Sequence, residues 1–271
     1  MTSIAMLSTG GGVSIRQTKL APNGVEFCED VSEGRWVEEG IRDTHLSTVS
    51  SLLPNGFPAY ARVFHPAYLN DDKEQPVRWS TVASWTGRTV HPQMQFQRIA
   101  GLPEGPHVNE PDPSWGSYPT VGSIPEAECR TLVEALRGFT TSPDSCYFCL
   151  WEGWGSIDTR LYEAGARVRA PHRDHLLFHG PIDAIVAFLA TDWPRRDVWS
   201  NSPNIWWPKD RSWCVATDID LCHTYIGGSR ECIEAILSHP DLEALPTTLD
   251  ASTYLISDTI NAPEKFQGGS E

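Results

Sequence analysis

The run Ser202-Pro203-Asn204-Ile205-Trp206-Trp207-Pro208, continuing through Trp213-Cys214-Val215-Ala216-Thr217-Asp218-Ile219-Asp220 to Gly227-Gly228-Ser229, decides how this chain is read. Residues 213–220 read as a strand. The first four are apolar without interruption, which a half-exposed edge would not be, so the strand belongs in a sheet interior. Its C-terminal end then delivers Thr217, Asp218 and Asp220 to the surface. Pro203 and Pro208 are expected to bracket a loop that carries Trp206 and Trp207. Two adjacent indoles in such a loop cannot easily both turn inward, so at least one is expected to face a groove or a partner. Gly227-Gly228-Ser229 is read as opening a helix, with Ser229 as its cap and Ile233, Ile236 and Leu237 inward.

Working outward, residues 59–64, 147–151 and 174–179 read as further strands, and 242–248 as an edge strand. Ser123-Ile124-Pro125-Glu126 has the form of a capping box, and Cys129, Leu132, Val133 and Leu136 recur on one helical stripe behind it. Pro181 suits the first turn of a helix through residue 190. Residues 45–53 place Leu46, Val49, Leu52 and Leu53 at helical spacing, and 79–85 and 92–100 are shorter helical stretches. The Pro- and Gly-rich segment 101–122 reads as a long loop. Strands and helices alternate without a βαβ period, which predicts an α+β fold: a single mixed-sheet domain over residues 25–250 with helices packed on it. Residues 1–24 and 258–271 are expected to be flexible arms.

Composition excludes several classes. A formal charge of −14, with neither half of the chain basic, argues against a nucleic-acid partner, because phosphate binding needs a basic footprint. No window approaches the roughly 18 apolar residues of a membrane span. No secretory leader is read at the N-terminus, so a cytoplasmic location is expected. The seven cysteines mostly fall in apolar runs, as reduced packing thiols do. Cys146-x-x-Cys149 has no second pair to complete a zinc site and no following helix to make a redox motif.

The residues able to carry chemistry are few. Asp218 and Asp220 share a strand face, and His223 joins them only if the chain bends at Leu221-Cys222. Such a group offers acid/base catalysis or oxygen ligands for Mg²⁺ or Mn²⁺, but a hard cation needs more oxygens than these, so no metal site is assigned. Arg160, Arg167, Arg169 and Arg173 oppose only Glu163 between residues 160 and 173, and Arg167 or Arg169 could clamp an anion. His172, His175 and His179 form the histidine cluster. On a strand, His175 and His179 would stand about 13 Å apart, too far to share an ion. His175 as a general base would need a nucleophile that the sequence does not identify. The glycine runs lack the full P-loop and dinucleotide fingerprints, which leaves any cofactor unassigned.

The runs at residues 148–155, 202–211 and 213–229 resemble those of a family of bacterial proteins with no established activity. That resemblance implies a cytoplasmic single-chain protein and carries over no catalytic residue. Two functions are therefore weighed. The first is a binding module for a protein partner or a small anionic ligand, presenting an acidic surface with Trp206 and Trp207 in it. The alternative is a metal-assisted hydrolase or transferase acting on a small anionic substrate through Asp218, Asp220 and His223, with Arg167 or Arg169 on the anion.

Overall fold

A strand covered on both faces must be apolar at consecutive positions, and Cys146-Tyr147-Phe148-Cys149-Leu150 and Ile205-Trp206-Trp207 both meet that condition. The computed structural model describes residues 21–42, 45, 47–70, 75–102, 116–155, 157, 160–163, 165–171, 173–189 and 201–263. In chain order the strands are β1 (Glu26–Phe27), β2 (Ala59–Phe64), β3 (Ala67–Leu69), β4 (Pro76–Val77), β5 (Gly116–Ser117), β6 (Cys146–Trp151), β7 (Val168–Ala170), β8 (Arg173–Gly180), β9 (Ile205–Pro208), β10 (Cys214–Ala216), β11 (His223–Gly228) and β12 (Ala244–Thr247). The helices are α1 (Arg35–Gly40), α2 (Trp79–Thr86), α3 (Phe96–Ala100), α4 (Glu126–Arg137), α5 (Arg160–Glu163), α6 (Val186–Leu189) and α7 (Arg230–Leu237).

Nine of these strands form one antiparallel sheet in the order β1-β8-β6-β9-β10-β11-β2-β12, with β7 on the same edge of β8 as β1. A small sheet, β4-β3-β5, stands beside it. The fold is α+β and a single domain, as the alternation of elements predicts. β10 lies in the sheet interior between β9 and β11, as its apolar run requires, and β12 is an edge.

Helices cover both faces of the sheet, and this explains the tryptophans. On one face Trp206, Val215, Phe148 and Ile226 pack with the inward stripes of α4 and α7. On the other, Trp207, Cys149, Cys214 and Tyr225 pack with Val37 of α1 and with Val49, Leu52 and Leu53. Side chains alternate along a strand, so neighbouring indoles enter opposite cores. Trp206 meets the Trp213 ring edge-on at 5.1 Å, and Trp207 meets Trp36 edge-on at 5.6 Å. Both are fully buried. The expected loop with an exposed indole is thus an interior strand, β9, and Trp206 and Trp207 are not available to a ligand. A third core, around Phe64, Trp79 and Phe96, joins α2, α3 and the small sheet to the main sheet.

Other expectations need correction in detail. The segment from 213 to 220 is a strand only over Cys214–Ala216, and Gly227-Gly228, expected to open a helix, instead ends the strand β11, with the helix starting at Arg230. The Ser229 cap holds: its hydroxyl accepts from the Cys232 N–H at 3.1 Å. Ser123 does not cap α4. Its hydroxyl accepts from the Ser202 N–H at 2.9 Å, so the helix start is tied to the entry of β9 instead. The helix expected over 45–53 contains one 3₁₀ turn, Val49–Ser51, and Leu46 lies outside the described residues. The arm expected from residue 258 begins as an anchored segment. Asp258 accepts from the N–H groups of Gln95 and Asn261, and from His91 Nε2 at 2.8 Å. Residues 1–20 and 264–271 lie outside the described residues.

Candidate functional site

The two central strands are short. β9 begins at Ile205 and β10 ends at Ala216, while β6 and β11 on either side are longer. A hollow opens where the middle of the sheet stops. Its floor is Ile205, Ala216, Thr217 and Asn204, its walls are Arg173, His175 and Asp218, and Ser51, Leu52, Ala170 and Pro171 close it. A second hollow adjoins it, sharing Leu52, Arg173 and Asp218 and reaching out to Asp220, Leu221, Thr253, Tyr254 and Leu255. Their cavity volumes are about 20 and 220 Å³, so the inner hollow is narrow and the outer one carries most of the space.

Asn204 organises the floor. Its backbone N–H donates to Cys149 at 2.7 Å and its carbonyl accepts from the Thr217 N–H at 2.7 Å. Its side chain accepts from the Trp151 N–H at 2.8 Å and donates to the Thr217 carbonyl at 3.0 Å. One residue therefore satisfies the backbone ends of β6 and β10, which would otherwise be orphaned at the rim. The turn after β10 is fixed by the Asp220 N–H, which donates to Asp218 Oδ1 at 3.0 Å. Gly122 packs against that turn with φ of 81°, and a Cβ there would lie 2.6 Å from the Ile219 carbonyl oxygen.

Asp218 is partly buried and hydrogen-bonded, as its place at a strand end requires. Arg173 Nη2 lies 3.5 Å from Asp218 Oδ1 and 2.9 Å from Asp220 Oδ2, and the guanidinium stands 5.5 Å over the Trp151 ring. The closer bond is to Asp220, whose side chain is 75% exposed, so the buried Asp218 has the weaker half of the pair. Burial pushes the Asp218 carboxyl above its ordinary range, opposed by the Asp220 N–H and Arg173. His175, two residues along β8 from Arg173, is buried, and its Nδ1 has no hydrogen-bond partner among the described residues; neither has Arg173 Nε. Burial drives the imidazole pKa down to about 4, opposed by hydrogen bonding to the Val168 and Arg173 backbone, so the ring is neutral at pH 7.

The other candidates go elsewhere. His223 is sealed in the third core's wall, with Nδ1 at 3.0 Å from Arg62 Nη2 and Nε2 at 3.1 Å from the Tyr225 hydroxyl. The bend at Leu221-Cys222 does not bring it to the aspartates, because β11 resumes at His223 and pairs it with Phe64. Arg62, itself buried, donates to the carbonyls of Pro92 and Met94 at 2.9 Å. Arg167 is bound to Glu152 at 2.6 Å and to the Leu161 carbonyl at 3.1 Å, and Arg169 is exposed opposite Asp174. Neither lines the hollows. His179 bonds the Ser145 hydroxyl at 2.9 Å, and His172 lies outside the described residues. On the far face of the sheet Thr217 reaches the Thr224 hydroxyl at 2.7 Å, which meets His65 Nε2 at 2.9 Å, while His65 Nδ1 lies 2.7 Å from the Thr120 carbonyl.

Among the described residues no three His, Cys, Asp or Glu side chains gather closely enough to hold a metal ion. Cys146 and Cys149 belong to opposite cores, so they cannot chelate together. Among the described residues no helix is long and apolar enough to cross a membrane. Comparison of the chain with protein-family models, curated proteins and solved structures gives no match.

Proposed function

We propose that this chain is a cytoplasmic binding protein for a small polar ligand, taken up in the cleft walled by Arg173, His175 and Asp218. One observation carries the reading: the buried His175 ring, one nitrogen of which has no partner among the described residues, lines a hollow beside an incompletely paired carboxylate. Buried polar groups are normally satisfied, and exceptions concentrate where a ligand or water completes them. Apolar walls with a few converging polar groups are the usual make-up of small-molecule sites. The protein-partner version of the reading loses its support, since it needed an exposed Trp206 or Trp207 and both lie inside the sheet. The overall acidity still speaks against a nucleic-acid partner.

A hydrolase or transferase remains the second reading, favoured by Asp218, Arg173 and His175 facing one cleft. Its residue set changes, because His223, Arg167 and Arg169 stand outside the cleft. Thermal denaturation against a panel of small amines, acids, alcohols and sugars tests the binding reading. At least one compound is expected to raise the melting temperature of the wild type but not of Asp218→Asn. Compounds that shift both proteins equally, or a panel that shifts neither, would remove the cleft as the site. Turnover of a bound compound, lost in His175→Gln, would move the assignment to the enzyme.

A further inference from the structure

The charges around the cleft do not balance. Of the ionisable side chains lining the two hollows, Arg173 is the cation, Asp218 and Asp220 are anions, and His175 is neutral. Arg173 is drawn to the outer aspartate, 2.9 Å away, and stands 3.5 Å from the inner one. Asp218 therefore keeps an incompletely compensated charge in a site that is only 12% exposed. A buried carboxylate in that state calls for a further donor, most effectively a charged one.

His175 supplies the second half of the recognition. A neutral imidazole carries one proton, and the ring hydrogen bonds to the backbone near Val168. Nδ1 has no partner among the described residues, so a ring protonated at Nε2 would leave a lone pair there. Asp218 and His175 thus stand in a hollow whose apolar walls are Leu52, Ala170, Pro171, Ile205 and Ala216, with Ser51, Asn204, Thr217 and Arg173 between them. An anion would meet the two aspartates, and Arg173, its natural partner, already gives Nη2 to both, with the buried Nε alone left without a partner among the described residues. An organic cation meets neither obstacle.

Resting on the cleft reading above, we infer that the ligand is a small organic cation, a protonated amine or guanidine with an apolar body. Its N–H groups enter the narrow inner hollow toward the Asp218 carboxylate and His175, and its apolar part lies in the wider outer hollow against Leu52, Leu221 and Leu255. Arg173 stays with Asp220 and the Trp151 ring. This reverses the charge of the ligand that the arginine-rich segment 160–173 suggests from sequence. Of those arginines, Arg167 is engaged by Glu152 and Arg173 by Asp218 and Asp220.

The test uses isobutylammonium and methylguanidinium, with isobutanol as the neutral isostere and isobutyrate as the anion, titrated into the whole protein while the His175 ring signals are followed by NMR. The cations are expected to shift those signals saturably, and Asp218→Asn to weaken them by about tenfold or more. Arg173→Gln is expected to tighten them, because it removes the internal cation that competes for Asp218. Should Asp218→Asn fail to fold, Arg173→Gln carries the test alone: unchanged or weaker cation binding overturns the inference. Isobutanol binding as tightly as isobutylammonium, or isobutyrate binding more tightly, overturns it while leaving the cleft as a binding site. Cations that leave His175 unmoved overturn it as well. If the broader panel of polar compounds also fails to stabilise the protein, the cleft reading falls with it.

Discussion

Trp207 and His175 stand on the same face of one sheet and meet opposite conditions. Trp207 is packed between Trp36 and Tyr147 in a core with no room beside it. Beside His175 the strands β9 and β10 run out, a hollow walled by Arg173 and Asp218 opens, and a ring nitrogen is left without a partner among the described residues. The difference teaches that on this sheet burial alone does not separate structure from function, since both residues are almost wholly buried. What separates them is whether space adjoins them, for Trp207 Nε1 also lacks a hydrogen-bond partner among the described residues, while only His175 lines a hollow.

The sharpest way to break this contrast is to truncate the core residue. Trp207→Ala is expected to lower the unfolding free energy by about 3–5 kcal/mol, from lost burial and the cavity left behind. Trp85→Ala, at an indole 52% exposed, should change it by no more than about 0.5 kcal/mol. Urea denaturation of both variants measures the pair. Similar losses would mean that the two-faced core is wrongly drawn.

Acid tests the buried imidazoles. His175 and His65 both have folded-state pKa values depressed to about 4 by burial, against 6.5 when exposed. The unfolded chain therefore binds more protons than the folded one between those values. Their contribution is intact above pH 6.5, declines as the pH falls and is spent below about 4, up to about 3 kcal/mol for each ring. Asp218, with its pKa raised, works in the opposite sense and recovers some stability on protonation. Unfolding free energies from pH 7 to 4 should fall more shallowly in His175→Gln than in the wild type. Parallel curves would show that His175 is not buried neutral.

Smaller effects probe the rim. Gly122→Ala is expected to cost about 2 kcal/mol, because an alanine at positive φ would also press on the Ile219 carbonyl. If its crystal structure kept the 218–221 turn unmoved at no loss of stability, the turn would not be what places Asp218. Asp218→Asn should change stability less than Gly122→Ala does, by under about 1 kcal/mol, since it relieves a desolvated charge while keeping an acceptor for the Asp220 N–H. A large loss of stability there would make Asp218 a structural residue, like Trp207.

How much of this was legible in the sequence follows from what each element depends on. The stripe of α4, the Ser229 cap and the interior position of β10 rest on local periodicity and capping chemistry, and all three are as expected. β9 was misread because adjacent tryptophans between prolines look like a loop. Only a sheet covered on both faces takes both indoles inward, and that covering comes from α1, α4 and α7, distant in sequence. Asp218 was legible as the polar end of an apolar strand. Its partner was named only as one arginine among four, and Arg173 is set apart by the antiparallel path from β8 through β6 and β9 to β10. Asn204 carried no signal, because its role is to satisfy backbone groups of strands about 50 and 13 residues away.

The account stands or falls on the state of the His175 ring. With ¹⁵N-labelled histidine, NMR at pH 7 should show a neutral ring protonated at Nε2. Its unprotonated Nδ1 resonance should move when a compound that stabilises the protein is added, while the His223 signals stay in place. A His175 ring that is charged, or protonated at Nδ1, or unmoved by every stabilising compound would contradict the assignment of this cleft as the binding site.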